Sequence, residues 1–311
     1  MSCRRTFTFA IALLCLGSIS RAQVTYTGPD EADAFLATGS PANPAGTDLT
    51  ADNYGAAGIL VIAPTNSLKG EFQSVVRFNL SNAVSLFNSS LGTNNWSISG
   101  ISLQLDSNYG GTGEQPDNQI FGTVTGGNFV IEWLSDDNWA EGTGTPKGPT
   151  MDGVTFDSLP TLLSGTDVIL CTNTYTPPGD YVPVTYNLPL QYNLVTNIAG
   201  GGEVTLLFYA ADNQINYLFN SHEFGGTNQP WIKVTAVAPF YFTSAYFTNG
   251  GFQLSGVGAA NFQYQVLAST NLATTNWQNL GTVAADGSGL IQFEDTNATN
   301  GQQFYRLRLP P

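Results

Sequence analysis

The side chains of this chain best suited to chemistry are acidic. Asp30, Glu31 and Asp33 cluster ahead of the first strand-like runs, and Asp48 and Asp52 follow in a loop. Asp136, Asp137 and Glu141 form a second cluster in a Gly-rich stretch. Two chemistries fit such groups. A Ca2+ ion takes about six to eight oxygens from carboxylates, carbonyls and water. Glu31, Asp33, Asp136 and Asp137 are the candidate ligands of a structural Ca2+, although neither cluster has EF-hand spacing. Solvated carboxylates at turns, where Asp is favoured anyway, are the alternative. Glycoside hydrolysis needs two carboxyls about 5–10 Å apart across a sugar cleft. Glu132 with Asp136, or Glu141 with Asp137, would be such a pair, but spacing along the chain gives no distance in space.

Other reaction types find little support. His222 is the one histidine, no Gly-x-Ser-x-Gly elbow is present, and there is neither Cys/His zinc spacing nor a phosphate-cradling glycine motif. Cys171 ends the apolar run Val168-Ile169-Leu170 and reads as a buried, inert thiol. Arg77, inside a strand-like run, implies a carboxylate nearby. Sugar recognition needs exposed aromatic faces flanked by polar groups. Trp139, in the acidic Gly-rich stretch, and Tyr109, before Gly110-Gly111, are the candidate rings, with Glu141 and His222 as polar contacts. Trp139 has a second possible role, as a loop anchor folded back onto a sheet edge. Trp96 and Trp133 sit in strand-like runs and are expected to be buried.

The elements that must position these groups are strands. Period-two alternation dominates, as in Gln73–Leu80, Trp96–Leu105, Phe129–Leu134, Tyr181–Leu188, Val204–Tyr209 and Trp231–Val237. Asn, Gly, Asp and Pro fill the gaps. This predicts an all-β fold, an antiparallel β-sandwich, with short helices only at Asn82–Phe87 and Leu190–Ile198. A boundary near Ala238-Pro239 separates a second block with its own strands. The predicted organisation is therefore 23–237 for the large sandwich and 238–311 for a small C-terminal β-sandwich.

Composition narrows the partners. The 311 residues hold 9 Lys+Arg against 23 Asp+Glu, with a pI near 4.1. Nucleic-acid binding depends on basic groups neutralising phosphates, so this charge balance excludes it. At the N-terminus, Arg4-Arg5, an apolar run from Phe7 to Leu16 and the small-residue pattern Ser20-Arg21-Ala22 read as a signal peptide, residues 1–22, cleaved before Gln23. The run is too short for a membrane span. Cleavage would remove three of nine basic residues and no acid; six against 23 acids leaves 6 − 23 = −17. Of three cysteines only Cys171 would remain, so no intrachain disulfide would form. A secreted or surface-held monomer is the expectation.

Four ordered segments carry a family resemblance. They are Ala32-Asp33-Ala34-Phe35 with Asn53-Tyr54-Gly55 and Leu60-Val61-Ile62; Val75-Val76-Arg77-Phe78-Asn79-Leu80; Trp139 to Pro146 with Asp152 to Phe156; and Phe219 to Phe224 with Pro230 to Val234. Together they resemble the DNRLRE-domain family, whose members include alginate-binding-type carbohydrate-binding modules. The resemblance implies a jelly-roll type sandwich, no catalysis, and an extracellular polysaccharide as partner. His222 stands where the family often carries Arg, which shifts the expectation toward a neutral glycan. The C-terminal block, through Ala268 to Leu272, Trp277 and Phe304 to Arg308, resembles a fibronectin-like module of secreted proteins from Verrucomicrobia-like and Planctomycetes-like bacteria. A cell-envelope adhesion protein without sugar recognition, and a polysaccharide hydrolase or lyase, are the competing readings.

Overall fold

The computed structural model describes residues 22–40, 47–93, 96–108, 124–179, 181–224, 228–238, 240–248, 251–259, 262–273, 276–298 and 303–308. The predicted signal segment up to Arg21, and Tyr109, lie outside the described residues. In chain order the first elements are β1 (Ala22–Pro29), β2 (Ala32–Ala37), β3 (Ile59–Ile62), β4 (Phe72–Asn79), α1 (Ser81–Leu91), β5 (Ser97–Asp106), β6 (Gly127–Leu134), β7 (Val168–Tyr175), β8 (Pro183–Leu188), α2 (Tyr192–Ala199), β9 (Glu203–Ala210), β10 (Tyr217–Asn220) and β11 (Trp231–Ala238). The last six strands are β12 (Tyr241–Phe247), β13 (Phe252–Val257), β14 (Gln263–Ser269), β15 (Gln278–Ala284), β16 (Leu290–Asp295) and β17 (Phe304–Arg308). No helix among the described residues is long and apolar enough to cross a membrane.

The chain forms two compact units. Among the described residues, the larger comprises those of 26–84 and 98–234; the smaller comprises those of 235–308 together with 22–25 and 85–97. In the larger unit a five-stranded antiparallel sheet runs β2-β4-β9-β6-β7. A second sheet runs β1-β11-β5-β8, and β3 pairs with β10. The chain shuttles between these sheets as it proceeds, the crossing pattern of a jelly-roll sandwich.

Large aromatic residues fill the space between the layers. Phe129 of β6 meets Tyr186 of β8 edge-on at 5.2 Å, and Tyr217 of β10 stacks on Tyr175 of β7 at 3.7 Å. Phe208 of β9 meets Phe219 of β10 at 5.8 Å. Edge-to-face and stacked pairs of this kind bring the ring quadrupoles into favourable register in addition to burying area. The central strand β9 is buried from Val204 through Phe208, consistent with a strand covered on both faces.

One cover of β9 is the excursion between β6 and β7, residues 135–167. It lays Trp139, Val154, Leu159 and Leu162 on Ala32, Ala34 and Leu36 of β2, Val75 of β4 and Leu207 of β9. The edge strand β2 is in consequence wholly buried, which protects a sheet edge that would otherwise invite pairing with another chain.

The smaller unit is a sandwich of two three-stranded antiparallel sheets, β12-β13-β16 and β15-β14-β17. Its core holds Phe240, Tyr264 and Ile291 in one cluster and Phe242, Phe252, Leu254 and Val266 in another. The all-β sandwich expected from the alternation is thus the observed fold. Helix α1 runs longer than the predicted 82–87, and β7 was not visible in the sequence because its Thr and Asn residues leave a polar, half-exposed pattern.

Candidate functional site

Glu141 reaches its place because Trp139 is pinned two residues earlier. The Trp139 indole is 8% exposed and donates from Nε1 to Thr205 Oγ1 at 3.0 Å. Arg77 and Thr205 are direct cross-strand partners on β4 and β9. The Arg77 guanidinium lies over the Trp139 ring, 4.9 Å from its centroid, and its Nη1 donates to the carbonyls of Asp137 and Trp139 at 2.9 and 2.8 Å. The planar, multi-donor guanidinium suits this combined stack and double carbonyl contact. Of the two roles open to Trp139, the anchor is the observed one. A ring buried on both faces offers no platform to a sugar, so the sugar-contact assignment of Trp139 is corrected.

The predicted metal ligands separate in the same way. Glu31 pairs with Arg77 Nε at 2.9 Å instead of joining a cation site. Asp136 caps the backbone N–H of Asn138 at 2.9 Å. Asp137 lies against Thr205, and burial pushes its carboxyl up. Glu31 is held by Arg77, Asp136 by the Asn138 N–H and Asp137 beside Thr205, so none of the three joins the oxygens grouped around Asp33. Asp33 and Glu141, 108 residues apart, are brought into contact: the Asp33 N–H donates to Glu141 Oε1 at 2.7 Å. One carboxylate oxygen each from Asp33, Glu141 and Glu223 lies within 4.8 Å of the others.

Asp33 shares a face of β2 with Phe35, by the period of the strand. Its side chain is wholly buried, and its Oδ2 accepts the backbone N–H of His222 at 2.6 Å. Asp30, 2% exposed, packs against the Asp33 carboxyl. Its Oδ1 faces His222 Nδ1 at 3.5 Å and accepts from Gln229 Nε2 at 3.3 Å. Burial raises both carboxyls, Asp33 well above the ordinary range with the neighbouring Asp30 adding to it. Burial also raises Glu141. His222, a predicted polar contact, stands at the rim with its side chain 43% exposed.

Asn53 organises the loops around this cluster. Its amide Nδ2 donates to the carbonyls of Glu141 and Val154, at 2.7 and 2.9 Å, and its Oδ1 accepts from Gly55 and Gly144 N–H. Gly55 is required here because a Cβ would run into the Glu141 carbonyl. Asn53 and Glu223 were absent from the predicted sites, and Asp30 stood in the first acidic cluster without being chosen as a ligand. The only signal for Asn53 was its position in Asn53-Tyr54-Gly55, a turn-like tripeptide whose partners lie some 90 residues away along the chain.

The base of the excursion is clamped by Asp167, which accepts hydrogen bonds from the backbone and hydroxyl of both Ser135 and Ser164. Burial raises its carboxyl, but these four bonds outweigh that and hold it below the usual range. A depressed carboxyl stabilises the fold above its unfolded pKa and loses that effect as pH falls through the folded value. Asp167→Asn should therefore speed hydrogen exchange across residues 135–167 at neutral pH. The difference from the parent should shrink below about pH 4, where the clamp is being protonated anyway.

Aromatic groups that do face solvent lie beside the acidic cluster. Tyr181 and Phe224 are 48% and 37% exposed, with ring centroids 5.5 Å apart and planes at 37°. Tyr181 holds φ at +54°, and among the described residues it is the non-glycine found at positive φ. Its N–H donates to the Ser107 carbonyl at 2.8 Å, while the buried Ser107 hydroxyl donates to the Gly179 carbonyl at 2.6 Å. A left-handed backbone at a bulky residue costs roughly 1–2 kcal/mol and persists only when its surroundings impose it. Elsewhere, Tyr192 stands 78% exposed on α2 over a shallow depression of about 400 Å3 lined by Asn193, Thr196 and Asn197.

No protein family matches the chain, and no curated protein matches it. Among solved structures it aligns loosely with a Ruminococcus gnavus β-glucuronidase, at 8% identity and a TM-score of 0.22 over 98% of this chain and 43% of that one. A β-D-glucuronidase from Dictyoglomus thermophilum aligns at 7% identity and 0.22, over 89% and 39%. The chain thus spans about two-fifths of the length of these proteins. Alignments this loose carry no functional weight.

Proposed function

We propose that this chain is an exported, non-catalytic protein that binds an extracellular polysaccharide, and that the Tyr181–Phe224 pair forms part of the sugar-contact surface. The observation that carries this reading is the pair itself: two solvent-facing rings, one locked in a costly backbone conformation by a buried serine, beside His222 and Glu223 at the rim. Sugar C–H groups pack on ring faces while nearby polar groups take the hydroxyls. Burial argues against hydrolysis by the neighbouring carboxyls. Asp30 and Asp33 are 2% and 0% exposed and touch each other, which leaves no room for a glycosidic bond between them.

Affinity electrophoresis and a glycan array against neutral and acidic plant and algal polysaccharides test the reading. Tyr181→Ala should weaken binding about tenfold, equivalent to about 1.4 kcal/mol. Tyr192→Ala, on a different surface, should leave it unchanged. No retention on any polysaccharide would remove the proposal, and product release from a polymer would replace it with catalysis.

A further inference from the structure

Four carboxyls converge in the larger unit with little to neutralise them. Among the described residues no Lys or Arg forms an ion pair with Asp30, Asp33, Glu141 or Glu223; the arginine pairs found are Arg77 with Glu31 and Glu203. The ring nitrogen in reach is Nδ1 of His222, 3.5 Å from Asp30 Oδ1. Asp33 Oδ1 and Asp30 Oδ2 are buried and accept no hydrogen bond from the protein. A buried acceptor without a donor, on a side chain wholly shielded from water, costs on the order of 1–3 kcal/mol, and more if charged. Two such oxygens on adjacent carboxyls leave the pair short of positive charge.

The geometry points to a binding site for one Ca2+ ion, held by carboxylate oxygens of Asp33, Glu141 and Glu223, with the Asp30 carboxyl packed behind Asp33. Two oxygens bound to one Ca2+ ion at about 2.3–2.6 Å stand at most about 4.6–5.2 Å apart. One oxygen each from Asp33, Glu141 and Glu223 lies within 4.8 Å of the others, close enough for a single ion to reach all three. All donors are hard oxygens, as Ca2+ prefers. Burial grades outward from Asp33 through half-buried Glu141 to exposed Glu223, so the outer coordination positions open to water.

The frame is built before any ion arrives. Asp33 is fixed by the His222 N–H, Glu141 by the Asp33 N–H and by Asn53 at its carbonyl, and Glu223 by the Ser221 hydroxyl at 3.1 Å. An ion here would tie β2, the 135–167 excursion and the turn after β10, three segments distant along the chain. This site is independent of the sugar-binding reading, since it needs no glycan.

Calorimetric titration of the chelator-treated full chain with CaCl2, then MgCl2, tests the inference, with melting temperature as a second readout. The expected result is one Ca2+ per chain, weaker Mg2+ binding, and a melting temperature raised by Ca2+ and lowered by EDTA. Asp33→Asn should abolish binding. Glu223→Gln, at the exposed rim and harmless to folding, should weaken it about tenfold or more, as charge count sets Ca2+ affinity. No heat of binding and an EDTA-independent melting temperature in the parent would overturn the site, in favour of a proton shared between Asp30 and Asp33. Undiminished binding in Glu223→Gln would overturn it too, by placing the ion elsewhere.

Discussion

Tyr217→Ala should destabilise the larger unit by about 3–5 kcal/mol, the range for truncating a large aromatic in a packed core. The Tyr217 ring is fully buried. It stacks on Tyr175 of β7 at 3.7 Å and meets Phe129 of β6 and Phe219 of its own strand at 5.7 and 5.1 Å, so removing it opens a cavity among three rings. For a unit of this size the loss corresponds to a fall in melting temperature of about 10 °C. Tyr217→Phe separates packing from polarity. The hydroxyl accepts one long bond, from Tyr186 at 3.4 Å, so its removal should cost about 1 kcal/mol or less. Urea denaturation of both variants measures the two terms. Equal costs for Ala and Phe would mean that the hydroxyl contact, not the ring stack, joins the layers.

Arg77→Ala comes next in size, at about 3 kcal/mol. The guanidinium makes two charge-assisted bonds to carbonyls, an ion pair with Glu31, a longer one with Glu203, and a stack on Trp139. Its side chain is 18% exposed, so these contacts are only partly screened. A charged hydrogen bond contributes about 1.5–3 kcal/mol and a cation–π contact about 0.5–1, with incomplete additivity. Arg77→Lys should recover less than half, because an ammonium is a point charge that cannot stack flat on the indole while donating to two carbonyls. Trp139 fluorescence supplies a local readout: the emission should shift red in both variants as the indole gains water. Full rescue by Lys would show that charge alone holds the excursion.

The effects meet at one place. Arg77 fixes Trp139, Trp139 fixes the start of the excursion, and Glu141 follows two residues on. Loosening Arg77 should thus weaken Ca2+ binding without touching a proposed ligand, whereas Tyr217→Ala acts on the interior between the sheets.

Much of the architecture was legible along the chain. Alternation placed β4, β5, β6, β8, β9 and β11 to within a few residues, since a half-buried strand must show one apolar side chain in every two. Helix α2 was readable from Leu190–Ile198 and the glycines behind it, Gly200-Gly201-Gly202. Strand β2 was harder: its burial on both sides comes from the excursion laid over it, not from its own pattern Ala-Asp-Ala-Phe-Leu-Ala. Trp139 shows the same limit from the other side. In a polar, Gly-rich stretch it reads equally as a solvent-facing ring or an anchor, and only the cross-strand pair Arg77–Thr205 decides.

What the sequence determined by itself was the class: acidic, strand-built and poor in catalytic signatures. Those properties are local or additive, so they survive without knowledge of which segments touch. Which carboxylates meet is of a different kind. Asp33, Glu141 and Glu223 are separated by long stretches of chain, and Glu31, only two residues from Asp33, is drawn away to Arg77. Neighbours in sequence part and distant residues converge because strand pairing and the docking of one long excursion fix the contacts, and only the tertiary structure settles those.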